Sequence, residues 1–243
     1  MSSEPAETVI SPRARDHGPI EYAPNDQKKW KPWLEAEVEA VQLWYTRGPN
    51  HGVAHWQTSL CFSSLVHQKR AITLNMTRFD QHRYYRASQA LRLNPYGTLC
   101  ISAREDTQSK TAKSPIRINI IHPIRNGEPQ ALRVADVIKY VEETGQSHYA
   151  FNPDQSGCLY WQLSILQALE TQGYLHPGKV DSIRSEIEDH RKEEHVADYI
   201  PWPPVQGWYY RVVDREGGKV AIIPVRTSWT VDLRDLNVHH ATN

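Results

Sequence analysis

Cysteine is scarce in this sequence. Cys61, Cys100 and Cys158 are the three thiols in 243 residues, and no two of them form a CxxC pair. That excludes a disulfide scaffold and a cysteine-based zinc site. No run of about 18 apolar residues occurs, so a helical membrane span is not expected. The first 15 residues are rich in Ser, Glu and Pro and lack the apolar stretch of a secretory signal. A surplus of charge is missing as well. The 28 Lys and Arg balance the 28 Asp and Glu, which argues against stable DNA binding or a nucleic-acid coating role. No Gly-rich phosphate loop with a following Lys-Ser/Thr appears, no GxGxxG opens a helix, and no internal repeat is visible. His51 and His55 stand four apart in a turn-then-strand context, where that spacing does not suit a metal. No metal and no cofactor is expected, and the default compartment is a reducing cytoplasm.

What is present is an ordinary globular composition with one disordered-looking end. Residues 1–36 carry Pro5, Pro12, Pro19, Pro24 and Pro32 among polar residues, and no strand or helix period survives that spacing. They read as a flexible N-terminal tail. Residues 37–243 read as a single domain. Val38 to Tyr45 reads as a strand ended by Arg47-Gly48-Pro49-Asn50. Ala54 to Phe62 alternates, with Trp56, Thr58, Leu60 and Phe62 on one side and His55, Gln57, Ser59 and Cys61 on the other. Lys69 to Thr77 does the same, setting Ile72, Leu74 and Met76 opposite Ala71, Thr73, Asn75 and Thr77. Successive strand side chains point to opposite faces. The link Ser63 to Gln68 suits an antiparallel hairpin, and then His55 and Asn75 share a face.

Arg78 to Leu93 is basic and aromatic and reads as either a short helix or an excursion; it could contact RNA phosphates and stack on bases, and a solvated loop is the favoured reading. Gly97 to Ala103 and Ile116 to His122 are two more expected strands. Ala131 to Glu143 and Leu159 to Gln172 have helical spacing, with Gly145 and Gly173 as stops. Lys179 to His195 reads as a charged surface helix. Trp208 to Val213 and Lys219 to Val225 read as a hairpin joined through Gly217-Gly218. The order of strands, then helices, then a hairpin gives an α+β class with an antiparallel sheet packed by helices.

One segment carries chemistry. Asn152-Pro153-Asp154-Gln155-Ser156-Gly157 is a turn that leads straight into a helix opening at Cys158. The first turn of a helix has unpaired N–H groups and a partial positive charge, which stabilise a thiolate. Gly157 lets a carbonyl approach, and the backbone of Gly157 and Cys158 is a candidate oxyanion site. The alternative is that Cys158 merely fills the helix–sheet contact. A nucleophilic thiol needs a base and the base needs an orienting group. His55 and Asn75 supply both from neighbouring strands. Asn is disfavoured inside a strand, so Asn75 between Leu74 and Met76 asks for a reason.

His55-Trp56 opening a strand, Leu74-Asn75-Met76, and Gly157-Cys158-Leu159-Tyr160-Trp161 opening a helix resemble a family of uncharacterised fungal proteins. The arrangement is similar to the circularly permuted papain-like fold of the NlpC/P60 and lecithin:retinol acyltransferase group, in which histidine precedes cysteine. The resemblance covers about Val38 to Tyr174, and the chain continues beyond it from Lys179 to Asn243. It implies a cysteine nucleophile Cys158, a base His55 and an orienting Asn75. Trp56, Asp154, Tyr160 and Trp161, flanking these motifs, are candidate substrate contacts. In size and character the chain also resembles fungal arginine-containing cyclodipeptide synthases. That implies aminoacyl transfer in secondary metabolism, with amino acids as substrates and aminoacyl-tRNA as donor. A Cys-His hydrolase (a peptidase or amidase) and a non-catalytic binding module remain open alternatives.

Overall fold

The computed structural model describes residues 8–10, 20–23, 27–47, 53–78, 97–152, 157–193, 196–214 and 220–225. In chain order its strands are β1 (Thr8–Ile10), β2 (Ile20–Ala23), β3 (Val38–Thr46), β4 (His55–Val66), β5 (Lys69–Arg78), β6 (Gly97–Arg104) and β7 (Lys113–Asn119), then β8 (Ile124–Arg125), β9 (Glu128–Pro129), β10 (Tyr149–Ala150), β11 (Trp208–Asp214) and β12 (Val220–Val225). The helices are α1 (Gln27–Leu34), α2 (Val134–Glu143), α3 (Cys158–Thr171) and α4 (Lys179–Arg191). The class is α+β. Five antiparallel strands, ordered β6-β5-β4-β3-β7, form the main sheet, and β2 joins its edge in parallel to β6. A second sheet runs β1-β12-β11-β10, and β8 with β9 makes a small ribbon.

Alternation gives the main sheet two unlike faces. Val41, Leu43, Tyr45, Trp56, Leu60, Ile72, Leu74, Met76, Leu99 and Ile101 form the apolar face, which belongs to the main core together with the buried residues of α3. The opposite face is small and polar. There the Trp44 indole N–H donates to Ser59 Oγ at 3.0 Å, Ser59 and Thr73 hydroxyls pair at 3.2 Å, and Gln42 bonds Gln108. Burial of such groups is tolerable because they satisfy one another. The β4–β5 link is tighter than the composition implied. Pairing extends to Val66 and Lys69, and His67 and Gln68 alone make the turn, both with positive φ as a twisted hairpin requires.

Two sequence expectations change. The N-terminal stretch is not simply a tail: α1 forms despite Pro32, Trp30 is 1% exposed, and the Trp33 indole donates to Val66 O at 3.0 Å. Aromatic burial overrides the polar composition around it. β1 and β2 add pairings to both sheets. The charged helix α4 has a buried stripe as well, at Val180, Ile183 and Ile187, so it is half core. The basic segment 79–96 and the hairpin turn 215–219 lie outside the described residues.

Candidate functional site

The site begins where β4 and β5 part. Their ladder runs from Cys61↔Ala71 to Thr58↔Leu74. Continued by two residues it would pair Trp56 with Met76, yet no such pair forms, although both strands extend further. Side chains of α3 enter this opening. The Trp56 N–H points to Cys158 Sγ at 3.4 Å, and Sγ lies 3.6 Å from Ala54 O. One turn along α3, Gln162 Nε2 donates to Trp56 O at 3.3 Å and to Leu74 O at 3.4 Å.

On the polar face the same opening is bridged by His55 and Asn75. His55 Nε2 lies 2.6 Å from Asn75 Oδ1. A carboxamide oxygen only accepts, so Nε2 carries the hydrogen and Nδ1 is left to face an acid. Cys158 is the other side chain that acts on this ring. Burial lowers the affinity of the ring for a proton. Cys158, by hydrogen bond and by charge interaction, and then the Asn75 bond outweigh it and hold the imidazole above its ordinary range. Cys61 is the contrast: burial pushes its thiol up to about 11, against a smaller opposing effect of Arg117.

The start of α3 is built around Gly157. Its φ is +130°, and a Cβ there would meet the Tyr149 hydroxyl at 2.5 Å, so only glycine fits. Tyr149 donates its hydroxyl proton to Gly157 O at 3.0 Å and accepts from Gly207 N–H at 2.7 Å. Gly157 O also accepts the first intrahelical bond, from Trp161 N at 3.0 Å, and among the described residues no side chain caps the helix. The N–H groups of Cys158, Leu159 and Tyr160 therefore have no intrahelical acceptor. Such groups can favour an anion at the sulfur or on a bound carbonyl oxygen.

The structure brings Cys158, His55, Asn75 and Gly157 together and separates others from them. Trp56 is 1% exposed and packs against Tyr45 at 4.8 Å between ring centres, the rings tilted by 45°, on the apolar face, so it is core and not a substrate contact. Trp161 is 0% exposed with its indole N–H on Gln146 O at 2.8 Å, and it too is core. Both were placed by adjacency to His55 and Cys158, but neighbours in a strand or helix face other ways. Tyr160 is partly exposed beside the cysteine and stays a candidate. Asp154 lies outside the described residues. Among other carboxylates, Asp136 accepts the Arg133 N–H at the start of α2, and Glu143 pairs with Lys139, so neither lines the cluster. Gln162 and Tyr149 were not singled out from sequence. A lone Gln four residues after Cys158, inside an apolar helix stripe, was the available signal for the first.

Fold and cluster together define a mixed α+β protein with a thiol, an imidazole and a carboxamide gathered at the N-terminus of a helix. The chain belongs to the family described as Domain of unknown function (DUF7770), whose model matches residues 41–210. His55, Asn75 and Cys158 all lie inside that span. No curated protein and no solved structure matches the chain. Among the described residues no three His, Cys, Asp or Glu gather as a metal would need, and no helix is long and apolar enough to cross a membrane.

Proposed function

We propose that the protein is a thiol-dependent acyltransferase on a permuted papain-like arrangement, with Cys158 as nucleophile, His55 as base and Asn75 as the group that orients His55. The observation that carries this reading is the 2.6 Å His55–Asn75 bond made by a ring whose other nitrogen is left to the Cys158 side chain. An Asn oxygen on Nε2 selects the tautomer that accepts a proton from sulfur. In the reaction the Cys158 sulfur attacks the acyl carbon, His55 passes the thiol proton to the leaving oxygen, and a thioester forms. An amine then attacks the thioester, the C–S bond breaks, and His55 carries the proton lost by the amine back to the sulfur. Cys158 is 5% exposed. The most specific form is synthesis of an arginine-containing cyclodipeptide from aminoacyl-tRNA, supported by the sequence resemblance.

Two measurements test the reading. Iodoacetamide at neutral pH is expected to label Cys158 well before Cys61, and Cys158→Ala to abolish transfer while leaving the helix intact. Equal labelling of Cys158 and Cys61 in the folded protein, or full activity of Cys158→Ala, would overturn the thiol mechanism. Transfer from radiolabelled arginyl-tRNA, with and without ribonuclease, tests the donor. Product that forms despite ribonuclease removes the tRNA-dependent form.

A further inference from the structure

Gln162 is fully buried on α3, and nothing in the acyl-transfer scheme requires it. Its amide nitrogen spends both protons on backbone carbonyls of two different strands, Trp56 O and Leu74 O. Its Oε1 is buried and has no partner among the described residues. Leu or Met would fill a similar volume without a stranded polar atom, so packing alone does not account for a carboxamide here. Its partners do. Trp56 would ordinarily pair with Met76, using both its N–H and its C=O. Instead Cys158 Sγ takes the N–H and Gln162 takes the C=O. The two residues are four apart on one helix face, so they replace one missing ladder pair between them.

We propose that Gln162 is a positioning residue for the cysteine site. It holds β4 and β5 apart just beyond the Thr58–Leu74 pair, where Trp56 would meet Met76, and this opening seats the Cys158 sulfur within reach of His55. The inference rests on Cys158 being the nucleophile. Remove the amide protons, and the carbonyls of Trp56 and Leu74 lose their buried donors. The Trp56 carbonyl can recover a strand donor only by closing the ladder onto Met76, and closure expels the sulfur from its place between Ala54 O and Trp56 N. His55 and Asn75 still bridge the polar face, so the base survives while its partner moves. Gln162 touches no reacting atom in this scheme.

The test compares Gln162→Met with the unaltered full-length chain. The readout is the rate of Cys158 alkylation against pH, with acyl transfer measured in parallel. Displacement of the sulfur by a fraction of an ångström or more is expected to slow Cys158 alkylation at neutral pH roughly tenfold to a hundredfold. The pH profile should move toward that of an unassisted thiol, with the helical circular dichroism retained. A purely structural glutamine would lower the melting temperature and leave that profile in place, which would overturn the inference. Should Gln162→Met fail to fold, the unaltered chain still decides. Alkylating Cys158 is expected to change the solvent exchange rate of the Gln162 side-chain amide protons through the shared Trp56 peptide, and no change would reject the coupling. If instead Cys158 of the unaltered chain alkylates no faster than Cys61, the nucleophile reading fails first.

Discussion

At the scale of single residues, His55 is held by opposing effects whose balance depends on one neighbour. Burial pulls its proton affinity down and is the largest influence, Cys158 pushes it up by hydrogen bond and charge, and Asn75 adds the smallest upward effect. Cys158→Ala removes both Cys158 contributions and leaves burial dominant. The ring is therefore expected to titrate above about 6.5 in the unaltered chain and below it in Cys158→Ala. Proton NMR titration of the imidazole checks this. Titration on the same side of that value in both would show that sulfur does not control the ring. Linkage follows in sign: in the unaltered chain the His55 contribution to stability is complete below about pH 6.5 and fades as pH rises through the folded value. In Cys158→Ala it is present above that pH and fades on acidification. Thr58 offers a simpler case. Its hydroxyl is buried with no partner among the described residues, so Thr58→Val is expected to be neutral or stabilising by up to about 1 kcal/mol, read from urea melts. Clear destabilisation would reveal a bond to that hydroxyl.

At the scale of elements, helix starts show how one segment secures another. The Glu170 carboxylate, near the end of α3, accepts from Gly178 N–H at 2.8 Å and Val180 N–H at 2.7 Å, where α4 begins. Gly178 carries no side chain to cap α4, so Glu170 does this from outside. Glu170→Ala is expected to cost about 1–2 kcal/mol in denaturant melts, whereas a change within error would mean that water replaces the carboxylate. Strands were more legible than such caps. Alternation in β4 and β5 marks the apolar face and puts His55 and Asn75 together, because a period of two needs only local spacing. The same alternation already set Trp56 on the face opposite His55, a stronger signal than the adjacency that made it a candidate substrate contact. The interruption of the β4–β5 ladder left no local mark. It comes from Cys158 and Gln162, about a hundred residues further along the chain.

At the scale of the whole molecule, the N-terminal stretch decides more than its composition suggests. Trp30 and Trp33 meet edge to face at 5.1 Å, and α1 sits against the core and the far end of β4. Trp30→Ala is expected to destabilise the protein by about 3–5 kcal/mol. A stability unchanged by that substitution in equilibrium unfolding would restore the picture of a loose tail. Proline and lysine around Trp30 hid this from the sequence, since propensity yields when a large aromatic side chain finds a pocket.

The Tyr149 hydroxyl, held between Gly157 and Gly207, also has a meaning in time. Its bond to Gly207 spans 58 residues, and the sulfur's contact with Ala54 spans 104. Contacts so distant along the chain form late, after the local hairpins and helices. During synthesis the thiol emerges well before Gly207 exists to support the phenol that steadies its helix. A ribosome-bound chain ending short of that glycine thus holds Cys158 without its finished setting. The setting of the sulfur is complete only once Gly207 and the strand β11 that follows it are in place.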